Sequence, residues 1–559
     1  MKLKSFNHYR DLTSEIGFVE RFSSSLVEVR GLPGVRSREI VLFESGALGQ
    51  VLSFDAERVR VLVLTTEGLA VGDNVARTDE ELAVAVGDEL LGRVIDPLGR
   101  GIGGDQISDI RDHKSYTTRD DTLPGRVRAG GEARLVDVVP LGIAQRKGVT
   151  EPLDTGVTMV DFLVPLARGQ RELVIGDRKS GKSRFVLTAM KTQVRQGAVG
   201  VYAAIGKKTT DIKRVEATLT REKLTDKVVV VASTAADPSG LIYLTPYTAM
   251  TVAEYFRDKG EQVVVVLDDL TTHAKFYREV MLLASRFPGR NSYPGDVFHA
   301  QARMVERAGV FKNGTISLLP VAETVQGNLT GYIQTNLMAM TDGHLYFDAE
   351  LYDRGRRPAV NPFLSVTRVG LAPQPQIFKS LQRELMQLLV RLRKVEEFVH
   401  FGAETGAHVQ TLTALGERLR LVLEESELFE GTKGTRSTEG TESRKSSTGS
   451  VSRTGSVSRT GRESRGRIDS AGFANKNLKA YLLALLWINA WKDEGAAEVQ
   501  EVQKVQEVYL EKMAGVIKDY KDRPDFKAWV DNLFAKGQTF AEVVEAIRAE
   551  RAMKTSRVS

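Results

Sequence analysis

The spacing of apolar residues changes twice along the chain, at about residues 85 and 372. Residues 18–75 contain short runs of β character separated by glycines, a pattern typical of a small sandwich or barrel. From 86 to 371, wholly apolar runs alternate with helical stretches, which predicts an α/β domain with a largely parallel sheet. The strands predicted in that domain are Glu172–Ile175, Val199–Ile205, Val228–Ala232, Val263–Leu267, Thr315–Leu319 and His344–Phe347.

Residues beyond 372 show mainly helical periodicity, with leucines at helical spacing from 377 to 399. Further helices are predicted at about 408–424 and from about 475 onward. Residues 431–470 interrupt this pattern with glycine, serine, threonine and charged residues, and we predict a disordered surface insertion or, as a second interpretation, a regulatory or membrane-facing arm. The predicted domains are a short N-terminal arm (1–17), the β domain (18–85), the α/β domain (86–371) and the helical domain (372–559).

Composition narrows the class of protein. The 559 residues are 42% hydrophobic and 27% charged, as in ordinary globular proteins, and the absence of cysteine excludes disulfides, thiolate metal sites and cysteine nucleophiles. The first residues lack the apolar core of a secretory signal, and Asp11 and Glu15 argue against a transit peptide, so we expect no presequence. Of the net charge of +6, residues 431–470 contribute +5, which argues against a basic nucleic-acid face on the remainder.

The segment Gly176–Ser183 fits the phosphate-loop pattern G-x-x-x-x-G-K-[ST], between a predicted strand and a predicted helix. Its glycines allow a tight turn in which backbone N–H groups approach phosphate oxygens, while Lys182 can reach the outer phosphates. The alternative is a glycine-rich turn that matches by chance. The expected nucleotide-binding residues in this stretch are Gly176, Asp177, Arg178, Lys179, Ser180, Gly181, Lys182, Ser183 and Arg184.

A nucleoside triphosphate site also requires Mg²⁺ in most proteins of this kind. We expect the hydroxyl of Ser183 to be one ligand. Asp268 follows the buried strand Val263–Leu267 and is the expected carboxylate on the metal side. The alternative is that Asp268 merely caps a turn.

Several motifs in one order carry a resemblance to a known family. They are Gly176–Ser183, Glu254–Asp258, Phe287–Phe298, Thr341–His344, Arg357–Asn361 and Leu364–Gly370. Together they resemble the alpha subunits of rotary ATP synthases, from about residue 18 to 425 and loosely through the C-terminal helices. The resemblance implies a P-loop (RecA-like) core with an N-terminal β-barrel and a C-terminal helical domain, ATP or ADP as ligand, and Arg357 and Pro358 near the nucleotide.

The residue after the strand Val199–Ile205 and its glycine decides between hydrolysis and binding. The catalytic beta subunits of that family have a glutamate there, which positions the attacking water, and alpha subunits have glutamine. This sequence has Lys207, and a protonated ammonium cannot accept a proton from water. We therefore predict a non-catalytic MgATP site and a chain that is nearly inactive alone.

Arg368 is the residue that the resemblance makes catalytic, because in the family it reaches the nucleotide of a neighbouring beta subunit. Its position in the sequence alone would leave it as one surface arginine among many. The implied assembly is a hetero-hexamer with beta subunits around a gamma shaft, joined to delta-type and b-type peripheral-stalk subunits, which couples H⁺ or Na⁺ flow to ATP synthesis or hydrolysis. The implied location is the cytoplasmic face of a bacterial plasma membrane, contacted only through the complex, and an organelle-encoded origin stays open.

The sequence departs from the family pattern in several places. Lys179 and Ser180 replace the usual glutamine and threonine, residues 424–429 replace a segment that contacts adenine, and the arm before Gly17 is short for docking a peripheral stalk. Two other functions stay open, a hexameric nucleic-acid translocase and a protein-export ATPase. Both expect glutamate at position 207, and the translocase also expects aromatic stacking residues, which 431–470 lack.

Overall fold

The computed structural model describes residues 4–23, 25–102, 132–400, 407–424, 476–488, 502–535 and 539–556. The chain forms two compact units, residues 1–387 and 388–559. The predicted insertion at 431–470 and the altered adenine segment beyond 424 lie outside the described residues. The domain boundaries stay predictions.

A closed six-stranded barrel forms the first part of the chain, with the strand order β1-β2-β5-β4-β3-β6. Valine side chains such as Val27, Val41 and Val61 fill its interior. The preceding helix α1 (Phe6–Thr13) packs on the barrel, with Tyr9 buried against Leu42. Of the two folds predicted for this β domain, a sandwich or a barrel, the structure shows the barrel. The strands are β1 (Gly17–Ser23), β2 (Leu26–Arg30), β3 (Glu39–Phe43), β4 (Leu48–Phe54), β5 (Val59–Val63) and β6 (Asn74–Glu81).

The α/β part contains a nine-stranded sheet with the order β19-β18-β12-β17-β15-β13-β14-β8, and β16 pairs on β17. All pairings are parallel except those of β16 and β19. Two further pairs, β7 with β9 and β10 with β11, lie outside it. The bounds are β7 (Ala83–Val86), β8 (Val94–Ile95), β9 (Glu132–Leu135), β10 (Pro152–Leu153), β11 (Leu166–Ala167), β12 (Glu172–Gly176), β13 (Val199–Lys207), β14 (Val228–Thr234), β15 (Gln262–Asp268), β16 (Gly309–Val310), β17 (Thr315–Glu323), β18 (Gly343–Phe347) and β19 (Val366–Thr367).

All six strands predicted for this domain are confirmed. Every residue of β12 and β14 is buried, because helices cover both faces of a parallel sheet. Of these helices, α5 packs on β13, β14 and β15. The helices are α2 (Thr158–Leu163), α3 (Lys182–Arg195), α4 (Thr209–Arg221), α5 (Ser239–Asp258), α6 (Leu270–Leu283), α7 (Val297–Val305), α8 (Tyr332–Met340) and α9 (Ala349–Asp353).

The described residues of the second unit are helical, as predicted. The apolar stretch around Leu482 lies in α12, where its side chains are buried and where the helix packs on α11 and α14. Among the described residues, no helix has both the length and the apolar character that crossing a bilayer requires. The helices are α10 (Gln376–His400), which begins in the first unit, α11 (Ala407–Leu423), α12 (Lys476–Trp487), α13 (Val502–Asp522), α14 (Pro524–Ala535) and α15 (Phe540–Ser556).

Candidate nucleotide site

The predicted phosphate loop joins the carboxyl end of β12 to the first residue of α3. Gly176 closes the strand at a point where a Cβ atom would lie 2.2 Å from the carbonyl oxygen of Phe347. Lys179 and Gly181 have φ angles of 63° and 99°, and α3 begins at Lys182. This conformation is the turn between strand and helix N-terminus that presents backbone N–H groups to an anion.

Lys182 is buried at the centre of this loop. Its Nζ donates hydrogen bonds to the carbonyl oxygens of Gly176 at 2.7 Å and Asp177 at 2.5 Å. Burial lowers the pKa of Lys182, while the charges of Glu323, Asp269 and Asp268 oppose that shift. The loop thus encloses its own lysine and holds the ammonium among carbonyl oxygens.

The other loop residues differ in their roles. The carboxylate of Asp177 accepts hydrogen bonds from the Thr324 hydroxyl and from Gly327 N, at 3.0 Å for the latter, and so ties the loop to the segment after β17. Ser180 donates its hydroxyl to the Asp177 carbonyl at 2.7 Å. These contacts brace the loop from within.

Four of the expected nucleotide-binding residues lie at the surface, and Lys179 is one of them. Arg178 is exposed and pairs with Glu323 at 3.0 Å. Ser183 and Arg184, the next residues of α3 after Lys182, are exposed. The Ser183 hydroxyl is therefore accessible where the helix begins.

Lys207 lies at the end of β13, beside two carboxylates at the end of β15. Its Nζ donates to Asp268 Oδ1 at 2.7 Å and to Asp269 Oδ2 at 3.0 Å. Burial lowers the pKa of Lys207, but the charges and hydrogen bonds of the two carboxylates outweigh burial and raise it above its ordinary value. The side chain is therefore an ammonium in neutral solution and cannot act as a base.

The local backbone explains why Lys207 points to these partners. Ala204 is aligned with Asp268 in the parallel pairing, and the pairing of β13 with β14 is irregular between Ala204 and Lys207. Gly206 adopts a φ of 57° at this irregularity, and its N–H donates to the Ser233 hydroxyl at 3.0 Å. Glycine adopts this conformation without steric cost, so the turn is built into the sequence.

Asp268 and Asp269 are each held by further groups. Tyr202 donates its hydroxyl to Asp268 Oδ2 at 2.7 Å, and burial together with that carboxylate raises the pKa of the phenol. Asp269 caps α6, accepting from Thr272 N at 2.6 Å. Each carboxylate named here is thus already paired within the chain.

Arg357 and Pro358 lie beside the loop through an intervening tyrosine. The guanidinium of Arg357 lies 3.4 Å from the ring centre of Tyr352 and donates to the carbonyl oxygen of that residue at 2.6 Å. A Cβ atom at Gly181 would lie 3.9 Å from the Tyr352 ring. Pro358 follows Arg357 through a cis peptide bond.

Arg368 lies at the other end of the sheet. It follows β19, where Thr367 is aligned with Gly343, and its N–H donates to the carbonyl oxygen of Asp342 at 3.0 Å. The loop begins level with Phe347. Asp342, to which Arg368 is hydrogen-bonded, precedes Phe347 by five residues. At about 3.3 Å per residue, the backbone of Arg368 therefore lies about 16 Å from the start of its own loop, measured along the strands.

The comparisons with known proteins agree with this geometry. Residues 156–367 match the model of the ATP synthase alpha/beta family, nucleotide-binding domain. The chain is 36% identical over 439 residues to the protein named ATP synthase subunit alpha of Neorickettsia sennetsu. The aligned region covers 76% of this chain and 82% of that relative. The chain belongs to the ATP synthase subunit alpha family. Of the three functions considered from the sequence, the assignment supports the first, a nucleotide-binding subunit of ATP synthase.

For this ATP synthase alpha subunit, sequence reasoning missed residues that support the site. Asp269 accepts a hydrogen bond from Lys207, and Tyr202 donates one to Asp268. Glu323 forms an ion pair with Arg178. The sequence could have pointed to Asp269, because it directly follows Asp268 at the end of the predicted strand. The contact between Tyr202 and Asp268 can be inferred only when the register of β13 and β15 is known. Nothing in the sequence distinguished Glu323 from other strand-terminal carboxylates.

Proposed function

We propose that this chain is the non-catalytic nucleotide-binding subunit of the ATP synthase head, and that it binds ATP or ADP at the loop 176–183. The observation that carries the proposal is the ammonium of Lys207, which Asp268 and Asp269 fix at 2.7 and 3.0 Å. Hydrolysis requires a group that accepts a proton from water or orients it, and an ammonium has no free lone pair for this. Binding without turnover follows from that substitution.

In this proposal the chain contributes Arg368 to a neighbouring beta subunit. The displacement of about 16 Å from its own loop supports a role outside this chain's nucleotide site. Arg368 is also exposed, as a residue at a subunit interface would be in the isolated chain. A guanidinium offers fixed, always-charged donors that suit the charge on a phosphoryl group during transfer.

The finer partners also belong to the proposal. Family membership makes the chain a subunit of an ATP synthase complex. We propose alternation with beta subunits around a gamma shaft, attachment through delta-type and b-type stalk subunits, and a location peripheral to the cytoplasmic face of the membrane. We propose no nucleic-acid partner, because most of the net positive charge lies in residues 431–470 and the remainder offers no strongly basic face.

Mg²⁺ fits the described residues less well. Of its two predicted ligands, Ser183 has an exposed hydroxyl at the start of α3. Both carboxylate oxygens of Asp268 accept hydrogen bonds at 2.7 Å, from Lys207 and from Tyr202, and one of these donors is already a cation. Among the residues that the structure describes, no cluster of three metal-binding side chains is present. The proposed function therefore assigns no step to the ion.

The proposal is tested with the purified full chain, by titrating ATP in a calorimeter and measuring phosphate release in parallel. We expect saturable binding with negligible turnover. The variant Lys182→Ala should weaken ATP binding by at least about tenfold, since it removes the ammonium at the loop. Robust hydrolysis by the isolated wild-type chain would contradict the proposal, as would ATP binding that does not depend on Lys182.

A further inference from the structure

The cations and carboxylates next to the phosphate loop form one compact charged group. Lys207 contacts Asp268 and Asp269 directly, and the charges of all three act on buried Lys182. Glu323 also acts on Lys182 and is itself paired with Arg178, so the three cations and three carboxylates of the group sum to a formal charge of zero. With an uncharged residue at position 207 the same group would carry a net charge of −1, facing a polyanionic ligand.

A divalent cation usually removes this repulsion in nucleotide sites. Here the ammonium of Lys207 lies next to Asp268, the carboxylate at the end of β15, where a metal cation would otherwise be attracted. The ammonium has two charged partners at 3.0 Å or less, and Asp269 is itself fixed by capping α6. The position of the cation is thus set by three elements, β13, β15 and α6.

We infer that Lys207 is a built-in cation of this nucleotide site, which lets the site bind a nucleoside triphosphate with little dependence on Mg²⁺. The inference rests on the proposed binding of nucleotide at the loop 176–183. The Lys207 side chain is 23% exposed, and Asp268 and Asp269 take up two of the three N–H groups of its ammonium. It can therefore donate to a phosphate oxygen with the third of its N–H groups.

The test compares ATP binding to the full-length chain in excess Mg²⁺ and in excess EDTA. For the wild type, we expect the dissociation constants to differ by less than about threefold. For Lys207→Gln, removal of Mg²⁺ should weaken binding by about tenfold or more, because a unit charge about 4 Å away contributes that much at the edge of a protein. Lys207→Met removes the charge without adding polar atoms and should behave in the same way.

The matched control is Lys208→Gln, which removes the same charge one residue later, at an exposed position. It should keep the wild-type ratio. A wild-type chain that loses ATP binding tenfold or more in EDTA overturns the inference but leaves the proposed function intact. A wild-type chain that binds no ATP under either condition overturns both. If both Lys207 variants fold poorly, the wild-type ratio alone still decides.

Discussion

At the scale of single residues, the identity of position 207 changes the chemistry of the whole site. The strand and turn before it would present any side chain toward Asp268, since Gly206 and the parallel register fix the backbone. A carboxylate in that place would be repelled by Asp268 and Asp269 and would need a cation between them. The ammonium of Lys207 forms two ion pairs there instead. The position that could hold a water-activating group therefore carries a fixed positive charge.

His273 provides a prediction at this scale. It is fully buried in α6, stacked 5.3 Å from Tyr243, and burial lowers its pKa to about 4. The unfolded chain binds the proton at the ordinary value of 6.5, so stability is present above that pH and is lost as the pH falls toward 4. We expect the free energy of unfolding to drop by about 2 kcal/mol between pH 7 and pH 5 because of His273.

Urea unfolding at the two pH values measures this effect. His273→Phe keeps an aromatic ring in the stack and should remove about 2 kcal/mol of the pH dependence. His299→Gln, at an exposed position on α7, should leave the dependence unchanged. An unaltered pH dependence in His273→Phe would show that the buried ring does not titrate in this range.

At the scale of elements, long apolar strands were predictable and short ones were not. The six predicted strands of the sheet are confirmed because β-branched runs such as Val228–Val231 have one stable environment, between two layers of helix. The strands β8 and β19, with two residues each, have no periodicity to detect. Their pairing depends on tertiary contacts, which place β19 antiparallel at the sheet edge.

The junction between β12 and the phosphate loop gives a prediction at this scale. A methyl group at Gly176 would meet the carbonyl oxygen of Phe347 in the neighbouring strand β18 at 2.2 Å. Gly176→Ala should therefore push the two strands apart, lower the free energy of unfolding by about 1–3 kcal/mol and impair ATP binding. The measurement is urea unfolding together with an ATP titration.

Gly142→Ala is the matched control, because a Cβ atom there would have no neighbour within 4 Å. It should keep both stability and binding near those of the wild type. Wild-type stability and ATP affinity in Gly176→Ala would mean that the strand end is not as closely packed as its geometry indicates.

At the scale of the whole molecule, sequence and structure answer different questions about the site. The loop and Asp268 were identified from local patterns and Lys207 through the family resemblance, and the structure brings them to one edge of the sheet. The position of Arg368 had no local signal, because its distance from the loop depends on how β19, β18 and β12 are aligned. Only that alignment shows that the arginine is far from its own nucleotide site.

This separation leads to a prediction about the assembled complex. Arg368→Ala should leave ATP binding by the isolated chain unchanged, since the residue lies about 16 Å along the sheet from the loop. In the reconstituted complex the same variant should lower ATP hydrolysis by about 10³-fold or more, as expected for an arginine that stabilises a phosphoryl group in a neighbouring subunit. Arg368→Lys should restore little of the rate, because an ammonium lacks the planar set of donors.

The control is Arg354→Ala, which removes another exposed arginine, 71% accessible and paired only loosely with Glu350 at 3.6 Å. It should assemble and hydrolyse ATP at nearly the wild-type rate. Sedimentation of each complex before the assay separates a loss of chemistry from a loss of assembly. A fully assembled Arg368→Ala complex with wild-type hydrolysis would remove Arg368 from the catalytic site of the neighbouring subunit, while the nucleotide site around Lys182 and Lys207 would stand unaffected.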